Sequence, residues 1–326
     1  MKKALHITNH VGTIANINNV FNLLGEPEKL CTIKSSLPVH VSSEYADWLW
    51  ISYEEMISEY DTVIITDTSM YARAFFQNMD KHNLKIIVYV TNRFDWGLFD
   101  MHDDDRPIYT DLYSRMSKHP RVYFCADNRY DQYYCLLSDI RFYYGDIIRL
   151  TPILRPPTQY IHNKAFVYDR GSPLHCYLNA LQDNIIEYDL FGNNYGRFND
   201  MSHISEYKCI FHLPYQTNVQ LLWENLGYSN VYLIPSKQFI EHLITTVDWY
   251  YWEEKSKNQD ILKKSIELAE WYQPELTELF VFFDSWEDLN NKFYNTDFDA
   301  KKHTIHNYMV NHNDMYIKKW KHIIDM

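Results

Sequence analysis

The chain reads as an α/β protein with two parallel sheets in succession, and three observations support this. Continuous apolar runs such as Thr62–Thr66 and Lys85–Val90 recur between helical stretches, the mark of strands buried on both faces. The pattern lapses over 146–163, where Pro152, Pro156 and Pro157 fall in a stretch with no period, and it resumes at Lys164. At 326 residues and 46% apolar composition, the chain is long enough for two cores.

Taken in order, strands are expected at Ala4–Thr8, Thr62–Thr66, Lys85–Val90 and 121–125, with helices at 14–24, 43–58, 69–82 and 110–118. After the proline-rich stretch, strands are expected at 164–168, 184–188, 209–211 and 231–234. A helix carrying Val219, Leu222 and Leu226 on one side joins the last two. The tail reads as helices at 260–271 and 299–320, with the aromatic run 280–287 between them. Asp284 or Ser285 is a start signal for a further helix at 286–293. The expected organisation is a first domain at 1–155, a second at 156–300 and a terminal helix at 301–326 that crosses back onto the first.

Composition excludes several classes. A formal charge of −12 argues against a general nucleic-acid binder, which needs clustered Lys and Arg. No apolar run approaches the ~18 residues of a transmembrane helix. The basic start at Lys2-Lys3 precedes too short an apolar stretch for a signal peptide and reads as a first strand. Five scattered cysteines, none in a C-x-x-C pair, point to reduced core thiols and a cytoplasmic location. With 8 glycines and neither G-x-G-x-x-G nor a Walker A sequence, any nucleotide has to be gripped by helix ends and side chains. His303, His306 and His312 lack a companion carboxylate at ligand spacing and are assigned to a solvated face; no metal is expected.

In parallel sheets, functional groups gather past the carboxyl ends of the strands, where strand order reverses. In the first half that rule selects Asn9-His10-Val11-Gly12-Thr13, Asp67-Thr68, Thr91 to Trp96 (with Asn92, Arg93 and Asp95) and Asp127-Asn128. A histidine in such a turn is more often a surface or capping residue. Beside Gly12, which allows close backbone approach, and Thr13, able to cap the next helix, His10 is also placed to take a proton from a hydroxyl. General-base help of this kind is typically worth about 10²–10⁴ in rate. In the second half the rule selects Asp169-Arg170-Gly171, Phe191-Gly192-Asn193, the turn Tyr215-Gln216-Thr217-Asn218, and Ser236-Lys237. That turn opens a helix, where unpaired backbone N–H groups and the helix dipole hold phosphate, and Arg170 offers a planar fork for phosphate oxygens. A helix cap at Thr217 and a surface salt bridge for Arg170 are the plainer readings of the same residues.

The segment Gln216-Thr-Asn-Val-Gln-Leu-Leu-Trp-Glu224-Asn-Leu-Gly, followed by the strand around 231–236, resembles the donor-site motif of GT-B glycosyltransferases. Many retaining members carry two glutamates eight positions apart there; here the first position is Gln216 and the second Glu224. The resemblance implies two Rossmann-like domains facing a central cleft. It also implies a nucleotide-diphosphate sugar as donor, a hydroxyl acceptor on a glycan or glycoprotein, and no cofactor. It places Glu224 on the nucleotide ribose and Gln216 on the sugar or phosphate, with Arg170, Asn193, Tyr215, Thr217, Asn218 and Ser236 around the donor. His10 would be the catalytic base, or alternatively a contact to the donor sugar, with Asp67, Asn92, Arg93 and Asp95 on the acceptor side. The triple Asp103-Asp104-Asp105 could mimic the metal motif of the GT-A class, but it lies in a polar loop and reads as solvated surface. A non-catalytic nucleotide-sugar or glycan-binding protein and a two-domain nucleotide-sugar epimerase share these features.

Overall fold

The first strands to pair set the architecture. In the computed structural model, which describes residues 3–34, 40–98, 105–142, 147–169, 174–184, 186–192, 200–248 and 250–326, β1 (Ala4–Thr8) lies between β2 (Leu30–Lys34) and β3 (Thr62–Thr66), parallel to both. Strands β4 (Lys85–Val90) and β5 (Val122–Ala126) extend the sheet to the order β2-β1-β3-β4-β5. Its crossovers are α1 (Val11–Leu23), α2 (Ser43–Ile57), α3 (Ala72–Gln77) and α4 (Asp105–Met116), with α5 (Arg129–Leu136) after β5. Every residue of β1 and β3 is buried, as covered parallel strands require.

The second sheet repeats the scheme with β6 (His162–Asp169), β7 (Tyr188–Gly192), β8 (Tyr207–Phe211), β9 (Tyr232–Pro235) and β10 (Phe280–Phe283). Its order, β10-β9-β8-β6-β7, is the first sheet's order in its own strand numbers, and all its pairings are parallel. The helices here are α6 (Leu174–Asp183), α7 (Met201–Ser205), α8 (Gln220–Gly227), α9 (Lys237–Thr246), α10 (Gln259–Glu267) and α11 (Trp286–Asn295). The chain closes with α12 (Phe298–Asp325). Two parallel five-stranded sheets and a long terminal helix are the components of the GT-B-like fold that the sequence leads one to expect.

Two compact units result, Met1–Thr151 with Asp314–Met326, and Pro152–Asn313. In the first, the last turns of α12 bring the fully buried Trp320 edge-on to Tyr89 of β4, centroids 5.0 Å apart. Lys319 donates to the Ile147 carbonyl at 3.3 Å. In the second, Lys302 of α12 is buried and donates to the carbonyls of Thr158 and Ser205 at 2.9 and 3.0 Å. His312 stacks on Trp223 of α8 at 4.8 Å and is 3% exposed, so it is a core residue and not part of a solvated face. His303 is exposed and His306 half-buried.

Several elements depart from expectation. The strand expected at 184–188 forms instead at Tyr188–Gly192, and the aromatic run at Phe280–Phe283 is the fifth strand of the second sheet. The helix expected at 69–82 breaks into a 3-10 turn at Ser69–Tyr71 and the short α3. Cys125, Cys135 and Cys209 are buried thiols as expected, whereas Cys31 is exposed on the edge strand β2.

His6, in the middle of β1, is fully buried between two threonines of the neighbouring strands. Its Nε2 lies 2.9 Å from Thr66 Oγ1 and its Nδ1 3.4 Å from Thr32 Oγ1. Burial pushes its pKa down to about 3. Between that value and the ordinary 6.5, the unfolded chain binds a proton that the folded one refuses, so stability rises with pH across the window. Denaturation of wild type and His6→Gln between pH 4 and 6 is expected to differ in slope by up to ~1.4 kcal/mol per pH unit, wild type being the steeper.

Gly227 closes α8 where the chain passes close by. A Cβ there would stand 2.6 Å from the Ile153 carbonyl oxygen and 2.8 Å from Pro152 Cβ. Gly227→Ala in a helix ordinarily stabilises by ~1 kcal/mol; here overpacking reverses the sign, and urea denaturation should show a loss of about 1–3 kcal/mol.

Candidate functional site

Strand order reverses between β1 and β3 in the first unit and between β6 and β8 in the second, and each crevice is a default ligand position. In the first unit, β1 delivers Asn9 and His10 and β3 delivers Asp67. His10 is the N-cap of α1: it is exposed, and its Nδ1 accepts the Gly12 amide at 3.2 Å. The capping role expected of Thr13 therefore falls to His10. Thr13 is buried, donating to the His10 carbonyl at 2.9 Å and touching Thr8 Oγ1 at 2.8 Å. With Nδ1 engaged as acceptor, the neutral ring carries its proton on Nε2.

Asp67 sits at φ 61, in the left-handed region where a non-glycine residue is strained. Its amide donates to Thr91 Oγ1 at 3.0 Å, which ties the end of β3 to the end of β4. Thr68 Oγ1 reaches Asn9 Oδ1 at 3.1 Å and Asp67 Oδ2 at 3.2 Å, tying in the end of β1. Partial burial raises the pKa of Asp67, while the charge of His10 and the Thr68 hydroxyl pull it down. The field of a protonated His10 thus reaches Asp67 across the switch point.

The rest of the expected acceptor side lies deeper. Arg93 is 6% exposed, with Nη1 on Asp131 Oδ1 and its guanidinium 4.5 Å from the Tyr130 ring centroid. Its charge is spent on holding α5. Asp95 is buried, accepting from Tyr134 Oη at 3.1 Å and Arg106 Nη1 at 3.5 Å; its Oδ1 has no hydrogen-bond partner among the described residues, and burial raises its pKa. Asn92 is half-buried and turns Oδ1 onto the Arg93 amide at 2.9 Å. Asp127 and Asn128 are buried, Asn128 bonding both Asp127 and Asp131 at 2.6 Å.

In the second unit, Arg170 and Asn193 fall outside the described residues. The turn after β8 is described, and its backbone is unusual. Four successive carbonyls each accept a bond from one downstream segment: Pro214 from Tyr250 Oη, Tyr215 from the Glu253 amide at 2.8 Å, Gln216 from Trp271 Nε1 at 3.1 Å, and Thr217 from the Glu270 amide at 2.8 Å. Helix α8 then starts at Gln220 with Val219 as N-cap, no side-chain cap and no acidic residue in its first turn. Thr217, the expected cap, is buried two residues before Val219. The start of α8 thus offers amide donors and the positive dipole end with no built-in anion. Gln220 Nε2 is buried without a hydrogen-bond partner among the described residues.

Around this turn, Tyr215, Gln216, Asn218 and Glu224 are half-buried, Glu224 following Gln220 by one helical turn. Ser236 is the N-cap of α9, its Oγ accepting the Phe239 amide at 3.3 Å. Two residues escaped the sequence reading. His212 stands at the end of β8, its ring 4.9 Å from Trp271 and 6.0 Å from Tyr215; applying the strand-end rule from Phe211 onward would have found it. Trp271 lies 55 residues from Gln216, and no local signal points to it.

Asp105, the described member of the acidic triple, pairs with the fully buried Arg73 through two contacts of 2.6 Å and anchors the start of α4. Among the described residues no group of three His, Cys, Asp or Glu is placed to hold a metal ion. No helix among them is long and apolar enough to cross a membrane.

No protein-family model matches the chain, and no curated protein matches it. Among solved structures it is similar to the crystal structure of Arabidopsis thaliana UGT89C1 complexed with UDP, at 13% identity and a TM-score of 0.45, over 96% of this chain and 99% of that one.

The His10–Asp67 pair has a direct test. His10→Asn keeps a capping side chain and removes the imidazole, so the Asp67 pKa should rise when followed by carboxyl NMR titration. An unchanged Asp67 titration would show that the two groups do not interact.

Proposed function

We propose that the chain is a glycosyltransferase that moves a sugar from a nucleotide-diphosphate donor to a hydroxyl of a glycan or glycoprotein, without a metal. The observation that carries this reading is the turn before α8. Its carbonyl oxygens from Pro214 to Thr217 are taken up by the 250–271 segment, and the helix behind it begins with neither a side-chain cap nor an acid. Such a turn recognises an anion with hydrogen-bond acceptors on all sides, as a diphosphate has. It suits a cation poorly, because the oxygens a hard metal ion would need are already bonded.

In this reading the second unit holds the donor through the start of α8, with Tyr215, Gln216, Thr217, Asn218, Glu224 and Ser236 around it and Arg170 and Asn193 as further contacts. The first unit holds the acceptor at the rim shared by His10, Asp67 and Asn92, with Arg93 and Asp95 shaping that rim from below. In the reaction the bond from the anomeric carbon to the diphosphate oxygen breaks, a bond to the acceptor oxygen forms, and the acceptor hydroxyl's proton passes to the departing diphosphate oxygen. Amide dipoles at α8 stabilise the charge that develops on the leaving group. Of the two roles considered for His10, the Nδ1 contact with Gly12 favours the contact to the donor sugar, made through an Nε2–H donor. Acting as a base through Nε2 would require moving that proton and releasing the Gly12 amide.

Gln220→Glu provides the test. A carboxylate at the first position of α8 suits the helix dipole, so thermal stability should hold or rise slightly. The same charge opposes a diphosphate, and titration calorimetry with UDP, GDP and dTDP should show binding to wild type weakened at least about tenfold in the variant. Equal affinity in the two proteins would remove α8 from the donor site.

A further inference from the structure

We infer that Trp271 is the positioning residue for the turn before α8, an inference that rests on the diphosphate reading above. Trp271 is fully buried and grips the turn at two places with one side chain. Its indole N–H donates to the Gln216 carbonyl at 3.1 Å, and its ring packs on His212 with centroids 4.9 Å apart and planes at 37°. His212 is the first residue after β8, and Gln216 lies close to the helix start, so both ends of the turn are referred to one rigid plane. That plane is in turn set against the neighbouring strands. Tyr232 of β9 meets the indole edge-on at 5.4 Å, and Phe280 of β10 lies 5.9 Å away.

The hydrogen bond does what packing alone does not. In a planar trans peptide the carbonyl of one residue and the N–H of the next point in opposite directions, and among the described residues no peptide bond is cis. Holding the Gln216 carbonyl on the indole therefore aims the Thr217 N–H away from Trp271. A rotation of that one peptide plane would exchange a donor for an acceptor and present a negative oxygen to the phosphate. The flanking carbonyls of Tyr215 and Thr217 are held by backbone amides. Trp271 and Tyr250 do this from side chains, and Trp271 acts at the Gln216 position, which the donor-site motif shares.

Trp252 supplies a matched control from the same segment. It too is fully buried, but its indole N–H donates to Ser265 Oγ at 2.9 Å and not to a carbonyl of the turn. Trp271→Phe and Trp252→Phe each delete one buried indole hydrogen bond while leaving a ring in place. With whichever of UDP, GDP and dTDP binds wild type most tightly, calorimetry should show Trp271→Phe weakened about tenfold and Trp252→Phe within about twofold. The indole ¹⁵N–¹H resonance missing from the Trp271→Phe spectrum should shift in wild type when the nucleotide is added. Equal affinity in Trp271→Phe and wild type, or equal losses in both variants, would overturn the positioning role. Absence of binding of all three nucleotides to wild type would overturn the diphosphate reading itself and this inference with it.

Discussion

A parallel strand covered on both faces can present polar chemistry only where it ends. In this protein β1, β3 and β8 are buried along their whole length, so polar donors and acceptors collect at the loops that follow. Each sheet takes the strand order that opens a crevice between its first and third strands. The candidate groups of both units follow from that constraint: His10 and Asp67 in one, His212 and the turn into α8 in the other.

The two rims meet the constraint by different means. In the first unit, short hydroxyl side chains lace the strand ends together: Thr8 to Thr13, Thr68 to Asn9, and Thr91 to the Asp67 amide. These bonds hold Asp67 in a backbone conformation it would otherwise leave, and set its carboxylate within electrostatic reach of His10. In the second unit the backbone itself is the functional surface. A remote segment collects the carbonyls of Pro214 to Thr217, so the polarity of the turn is decided by partners far along the chain. The first unit also shows where charge is structural. Arg93 and Asp131, like Arg73 and Asp105, are largely buried pairs that pin a helix to the sheet, and removing one partner of such a pair leaves an uncompensated charge.

Elements with a strong local signature were legible, and those defined by their neighbours were not. The apolar runs of β1, β3 and β4 match the expected strands because their burial leaves no alternating pattern to misread. Edge strand β2 is only partly buried and too mixed in polarity to stand out. The aromatic run of β10 shows no strand pattern until β9 is seen beside it. Ser236 was selected as a rim residue, but its use as the cap of α9 depends on a helix that the local pattern did not announce. His312 resembled a surface residue because Trp223, the ring it stacks on, is far away in sequence.

By itself the sequence determined the α/β class, the doubling of the sheet and the strand ends at which polar groups would collect. All of these follow from the spacing of apolar residues along short stretches. Only the tertiary structure decided which of those polar groups face outward and which are consumed internally. Arg93 went to Asp131 and the Gln216 carbonyl to Trp271, while His10 became a cap whose imidazole stays exposed. The physical reason is that a hydrogen bond or buried ion pair is chosen by proximity in space, and its partners lie 38 residues apart in the first case and 55 in the second.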